Sequence, residues 1–241
     1  MIIQTVNWPL IVLVIIVLVV LGIVVYWQLV VAEGAYLGPR VVALLYDSFA
    51  PRYDKVKEFD PKYDALTLAE PVILHLQHRP KPTTPVQILD VGTGTGRLPA
   101  ALFAQPEFDG HVVAIDLSPK MLALAQANLV PFAARLTFKL HDAQRLPFDD
   151  HYFEVVTCLE ALEFFADPPI AVREMLRVLK PGGLLMLSNR IGPDLWKLPG
   201  RAMPTPQFVA RLAALGVQQI ETETWMVDYD LVRAIKKEHQ H

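Results

Sequence analysis

"ILDVGTGTGRLPAAL", Ile88 to Leu102, decides how the rest of the chain is read. An apolar run suited to a buried strand passes through Gly92, Gly94 and Gly96 into a helix-forming stretch. Glycines let a backbone turn tightly and let a ligand lie against it with no Cβ in the way. The dinucleotide fingerprint G-x-G-x-x-G uses such a turn to set a diphosphate on a helix N-terminus. Here the third glycine comes one residue early, and Arg97 stands where that fingerprint keeps a glycine for close helix packing. The turn therefore suits a nucleotide-like ligand without saying which, and a ligand-free structural turn is the plain alternative.

Outward from this turn the pattern alternates. "VQILDV", "HVVAIDLS", "LTFKLHDA", "FEVVTCLEAL" and "LLMLSNR" have the composition of strands. "RLPAALFAQ", "PKMLALAQANL", "PPIAVREMLRVL" and "TPQFVARLAAL" have the apolar spacing of helices, with "KPGG" as a break before the fifth strand. "VQQIETETWMV" and "YDLVRAIK" close the chain as a hairpin. Strands alternating with helices imply an α/β, doubly wound sheet of seven strands, mostly parallel, with a C-terminal antiparallel hairpin. In such sheets a ligand binds beyond the carboxyl ends of the strands, near the first one. That rule places the site at Asp90 to Gly96, Asp116 to Ser118, Asp142-Ala143 and Leu159 to Glu163.

The acids at those strand ends narrow the ligand. Asp116 closes the second strand, where a carboxylate can accept both ribose hydroxyls. Asp90 would repel a cofactor phosphate and welcome a cation. Asp142, with the amide that follows it, can meet an adenine edge. Asp116 alone suits a nicotinamide dinucleotide equally well, but Asp90 and Asp142 together suit an adenosine carrying an amino acid and a positive sulfur.

The net charge of −3 over 241 residues, with both signs interspersed, gives no basic footprint, and no nucleic-acid partner is expected. A single cysteine, Cys158, excludes an internal disulfide and reads as a small buried residue late in a strand. No set of His75, His78, His141 and the other histidines has metal-ligand spacing, so no metal is expected.

The N-terminus is of another kind. No charged side chain occurs from Met1 to Ala32, and "PLIVLVIIVLVVLGIVVYWQLVV" is long enough to cross a bilayer, which needs roughly 20 apolar residues. Trp8 and the Tyr26-Trp27 pair sit near its ends, where aromatic rings favour the headgroup region. A cleaved signal peptide would want a basic start and a shorter apolar run. No Lys or Arg precedes the helix, whereas Arg40, Arg52, Lys55 and Lys57 follow it, which places the remainder on the cytoplasmic side. The expected organisation is an anchor over 1–33, a helical segment and linker over 34–85 that caps the site, and the sheet domain over 86–241. Within the middle part, "EGAYLGPR" reads as a short connector, helices are broken at Pro51, Pro61 and Pro71, and "RPKPTTP" reads as a rigid linker.

The motifs taken together resemble a known family. "ILDVGTGTG", "VVAIDLSPKML", "HDAQRLPFDDHYFEVVTC" and "EMLRVLKPGGLLMLSNR", in that order and spacing, look like a class I S-adenosylmethionine-dependent methyltransferase of the type 11 group, which includes the ubiquinone and menaquinone C-methyltransferases. "YDSFAPRYD", Tyr46 to Asp54, resembles the segment that closes over the cofactor in that group. The resemblance implies S-adenosyl-L-methionine as cofactor, with Asp90 and Gly92 at its amino group and Gly94 and Gly96 shaping the turn. It further implies Asp116 on the ribose, Leu117, Asp142 and Ala143 around adenine, and Leu159 beside the ligand. Tyr53 and Tyr46 would contact cofactor or acceptor, or serve as packing aromatics. Should the acceptor have to lose a proton, Glu160 and Glu163, just past the fourth strand, are the candidate catalytic bases, with His141 a weaker one. Arg190, Trp196 and Arg201, on the proline-rich stretch after the fifth strand, are candidates for acceptor contact. The anchor favours a lipid-like or quinone-like acceptor. A nicotinamide-dependent oxidoreductase and a non-catalytic binding protein of the same fold are the alternatives.

Overall fold

The computed structural model describes residues 7–79 and 85–238. Residues 80–84 of the expected linker and the C-terminal His-Gln-His lie outside them. Helix α1, Trp8–Tyr26, is capped by the Asn7 side chain and continues as a wide π-type turn to Val31. Trp8–Val31, 24 residues, is long and apolar enough to cross a membrane by length and composition, and its residues up to Tyr26 are exposed.

Four helices follow: α2 (Pro39–Phe49), α3 (Tyr53–Lys57), α4 (Pro61–Asp64) and α5 (Glu70–Gln77). Pro51 interrupts the helical path with a 3-10 turn, and Pro61 starts a helix capped by the Asp60 carboxylate. Pro71 differs from the sequence reading, because it breaks nothing. A π turn over Ala65–Ala69 widens the backbone just before it, and the helix runs on. "EGAYLGPR" also departs from a loose connector. Ala32 and Ala35 are buried in a small core with Val42, Phe164 and Leu198, and Tyr36 stacks on Trp27.

The rest alternates as its pattern implies: β1 (Gln87–Val91), α6 (Arg97–Phe103), β2 (His111–Asp116), α7 (Pro119–Asn128), β3 (Leu136–Leu140), β4 (Phe153–Cys158), α8 (Pro168–Val178), β5 (Leu179–Arg190), α9 (Thr205–Ala214), β6 (Val217–Met226) and β7 (Tyr229–Lys236). The strand order is β3-β2-β1-β4-β5-β7-β6, parallel except for β7, which runs antiparallel to both neighbours. "KPGG" lies inside β5 rather than before it, where the register against β4 shifts. Gly183 is needed there, since a Cβ would stand 2.8 Å from the carbonyls of Glu154 and Lys180.

Residues of the central strands β1, β2, β4 and β5 alternate between two cores, which is why those strands are apolar on both faces. Leu89, Val113, Ile115 and Val156 pack with α8 and α9. Ile88, Val112, Ala114 and Val155 pack with α5 and α6. Cys158 is free and fully buried at the end of β4. This doubly wound arrangement leaves the carboxyl ends of β1, β2 and β4 open to one another, and α2 and α3 arch over them.

Candidate functional site

The turn after β1 shows that its three glycines do different jobs. A Cβ on Gly92 would lie 2.5 Å from the Ala161 Cβ, and one on Gly96 would lie 2.6 Å from Leu129. All three glycines have positive φ, and at Gly92 and Gly96 close packing adds a second need for glycine. Gly94 alone of the three faces open space, with the Tyr53 ring at 3.9 Å. It is the position where a ligand can lie against bare backbone.

Asp116 ends β2 beside it. Its Oδ2 accepts from the Gly94 N–H at 2.9 Å and its Oδ1 from the Ser118 N–H at 2.8 Å, which fixes the carboxylate plane. Asp90 is buried at the end of β1, accepting from the Thr157 hydroxyl at 2.7 Å. Burial pushes its carboxyl up to about 6, while the Thr157 hydrogen bond works the other way. Burial likewise raises Asp116, against the backbone donors that favour its charge.

Two hollows meet here. The outer one, about 70 Å³, is lined by Tyr46, Tyr53, Gly92, Gly94, Asp116, Leu117, His141, Ala143 and Leu159, among others. The inner one, about 30 Å³, is lined by Asp90, Gly92, Gly94, Arg97, Leu159 and Glu160. Tyr53 belongs to both walls and divides them. The cleft is narrow, with Tyr46 and Tyr53 of the cap close over it. The donor and acceptor set nonetheless fits an adenosyl amino acid: a buried acid at the inner end, a rigid carboxylate and a bare glycine in the middle, and apolar Leu117 and Ala143 beyond. Gly96 is no part of the lining. The Asp142 carboxylate turns onto its own loop and accepts from the Gln144 N–H at 3.0 Å, leaving its neighbours His141 and Ala143 to face the cleft.

The two glutamates after β4 are buried, where loop acids are ordinarily exposed. Glu160 has a left-handed backbone (φ 52°) and faces both hollows. Its oxygens are held by Lys57 and by Arg97, the latter at 2.7 Å. Glu163, in contrast, accepts from the Tyr229 hydroxyl and lies 3.6 Å from Arg190; burial raises its carboxyl. It opens onto a separate cavity of about 230 Å³ between α8, the end of β5 and α9, which Arg190 and Arg201 also line. Trp196 is 70% exposed and lines neither space.

Sequence reasoning missed the residues that hold the cap down. Arg97 binds Asp64 through two nitrogens (2.6 and 3.0 Å), and its guanidinium stacks on Phe59 and Trp225 at 4.5 and 4.6 Å. In the two Tyr-Asp pairs the tyrosines face the cleft while the acids latch the core. Asp47 accepts from the Ser118 hydroxyl (2.5 Å) and the Lys120 N–H (3.1 Å), and Asp54 from the Thr95 hydroxyl (2.5 Å). The spaced repeat of Tyr-Asp was the one available signal, since both acids sit one residue beyond a cleft-facing ring. Among the described residues no cluster of His, Cys, Asp and Glu is arranged to hold a metal.

Comparison with known proteins agrees with this geometry. Residues 89–187 match the family model described as a methyltransferase domain. A demethylmenaquinone methyltransferase of Deinococcus radiodurans is 34% identical over 154 residues, 61% of this chain and 59% of that protein, so the chain spans less than two thirds of that relative's length. A ubiquinone biosynthesis O-methyltransferase of Xanthomonas oryzae pv. oryzae is 28% identical over 195 residues, covering 77% of this chain and 79% of that protein. The CurJ carbon methyltransferase shares the fold at a TM-score of 0.63, with 14% identity, 88% of this chain and 68% of that chain covered. So does the cyclase SpnF, at a TM-score of 0.66 and 22% identity over 83% of this chain and 96% of that one. The fold thus houses more than one chemistry, and the family match carries the assignment: residues 89–187 are a methyltransferase domain, of the class whose methyl donor is S-adenosylmethionine.

Proposed function

We propose that the whole chain is a membrane-tethered methyltransferase that transfers the methyl group of S-adenosylmethionine to a quinone-like acceptor dissolved in the bilayer. The observation that carries this reading is the packing where the apolar helix meets the domain. Ala32 and Ala35, just past Val31, are buried against Phe164, and Phe164 lines the outer hollow. An acceptor leaving the lipid would therefore meet the cleft at once. The names of the relatives from Deinococcus and Xanthomonas point to the same acceptor class. The basic residues Arg40, Arg52, Lys55 and Lys57 after the helix favour a cytoplasmic domain.

The cofactor supplies an electrophilic methyl group on a positive sulfur. In this reading Asp90 accepts from its amino group, Asp116 accepts from the ribose hydroxyls, and Leu117 and Ala143 pack on adenine. Tyr46 and Tyr53 close the cleft and exclude water, and their hydroxyls stay protonated, because burial raises both. Much of the rate of an in-line transfer comes from holding the partners collinear and dry. Glu160 is the proposed proton acceptor for an acceptor that must lose one, since it faces the cleft while Glu163 opens elsewhere. Arg97 holds one of its oxygens, and Lys57, the more exposed cation, releases the other.

The test uses the full chain in lipid nanodiscs with methyl-labelled S-adenosylmethionine and a demethylated naphthoquinone bearing an isoprenoid tail. Label should pass to the quinone, and Glu160→Gln should lower kcat with little change in KM. Cofactor binding without transfer to any quinone would overturn the acceptor. Absence of binding by the folded chain would overturn the activity itself.

A further inference from the structure

The loop 159–165 has a cavity on each side. Leu159 to Ala161 face the cofactor cleft, and Leu162 and Glu163 face the larger space against α8 and α9. No step of the methyl transfer uses that space. We propose that it binds the hydrocarbon chain of a single-chain anionic amphiphile, whose headgroup rests on Arg173 and Arg211. The inference goes beyond the methyltransferase reading and does not depend on it.

The lining sets the chemistry. Leu162, Val172, Met203, Phe208 and Leu212 present an aliphatic and aromatic wall, the kind of surface that holds apolar guests in preference to water. About 230 Å³ lies below the usual range for drug-sized ligands, so one medium-length chain fits and a two-chain lipid does not.

The charges set the headgroup. Arg190, on the carboxyl end of β5, is faced by Glu163 and Tyr229, and Arg201 is committed to the carbonyls of Phe165, Ala166 and Ala35. Arg173 of α8 and Arg211 of α9 line the same space, are exposed, and have no carboxylate partner among the described residues. Two free guanidinium groups at an apolar mouth match a carboxylate or phosphate. The wall segment Arg201 to Met203 also touches the exit of the apolar helix, through Arg201 on the Ala35 carbonyl and Ala202 against the Ala32 core. Amphiphiles held in a bilayer would meet the mouth there.

The experiment uses the full chain in zwitterionic nanodiscs and three photoreactive probes with a diazirine at the chain end: decanoate, decyl phosphate and decanol. Decanoate or decyl phosphate should label peptides holding Val172, Met203 or Leu212, and decanol about fivefold less, as two exposed ion pairs would give. Joint Arg173→Gln and Arg211→Gln substitution should bring the anions down to the decanol level. Leu212→Trp should abolish cavity labelling, and Ala214→Trp, at an exposed lining position, should do the same without disturbing the core; unchanged thermal melting checks the fold of each. Labelling by only one anion assigns the headgroup as carboxylate or phosphate. Labelling confined to residues 8–31, or cavity labelling that persists in a melting-competent tryptophan variant, would overturn the site. Equal labelling by decanol would overturn the anionic headgroup.

Discussion

The two walls of the cofactor cleft are built by different physics. The sheet wall is built on strand ends: glycines turn the chain, Asp116 is fixed by the backbone donors of Gly94 and Ser118, and Asp90 by the Thr157 hydroxyl of the neighbouring strand. The cap wall is short helices broken by turns, held to the sheet domain by ion pairs, hydrogen bonds and a ring–guanidinium contact between residues far apart in sequence. A wall of the first kind is rigid and complete before any ligand arrives. One of the second kind depends on a few fastenings, so losing one should loosen the cap more than the sheet.

The sharpest way to break this contrast is Arg97→Met. It strips charge partners from Asp64 and Glu160 while keeping bulk between Phe59 and Trp225. Leaving the buried Asp64 unpaired costs about 3–5 kcal/mol, while Glu160 keeps Lys57. Denaturant unfolding should show that loss, and limited proteolysis should cut first between residues 46 and 64. A uniform loss of protection across the sheet would show that the cap is not a separate unit. Next in size is Asp116→Ala on the sheet wall. It removes the charged acceptor proposed above for two ribose hydroxyls, each hydrogen bond being worth about 1.5–3 kcal/mol. Calorimetry should show S-adenosylmethionine affinity down at least about a hundredfold, with the cap still protected.

A third expected effect concerns pH. Burial holds the Asp90 proton up to about 6, against an ordinary value of 3.8. The folded chain therefore binds that proton more tightly than the unfolded chain, and the stability contributed by the neutral form is lost as pH rises from about 4 through 6. Affinity for the cofactor's ammonium group moves the opposite way, falling about tenfold per pH unit below 6. Calorimetric titrations at pH 5, 6 and 7 check it, and Asp90→Asn should flatten the profile. The smallest effect is Asp54→Asn, which weakens one charge-assisted latch to Thr95 at a cost of about 1 kcal/mol. It should raise protease sensitivity of the cap and leave the sheet untouched.

The same contrast explains what the sequence could reveal. The strand order, the hairpin and the placement of Asp90, Gly94, Asp116, Leu117 and Ala143 follow from patterns a few residues long. Asp64, Lys57 and Asp47 do not, because their partners lie 33, 103 and 71 positions away. Arg97 was conspicuous only as a glycine that was missing; its role needs Asp64 and Glu160 brought to it by the fold. Glu160 and Glu163 carry the composition of a solvated loop, and only the packing of Tyr229, Arg190 and the cap buries them. Pro71 has the look of a helix stop, yet a π turn one step earlier absorbs its ring.

The junction at residues 32–38 carries a mechanical consequence under the membrane placement proposed above. Trp27 stacks on Tyr36 at 5.3 Å, the Tyr36 hydroxyl reaches the Pro199 carbonyl at 2.8 Å, and Tyr46 reaches Glu33 at 2.9 Å. A helix bolted to its cargo in this way passes on its own tilt. Helices tilt to match the thickness of the hydrocarbon they cross. The height and heading of the cleft above the lipid would then follow bilayer thickness, so that the same chain in thin and thick membranes presents a different face to whatever the membrane dissolves.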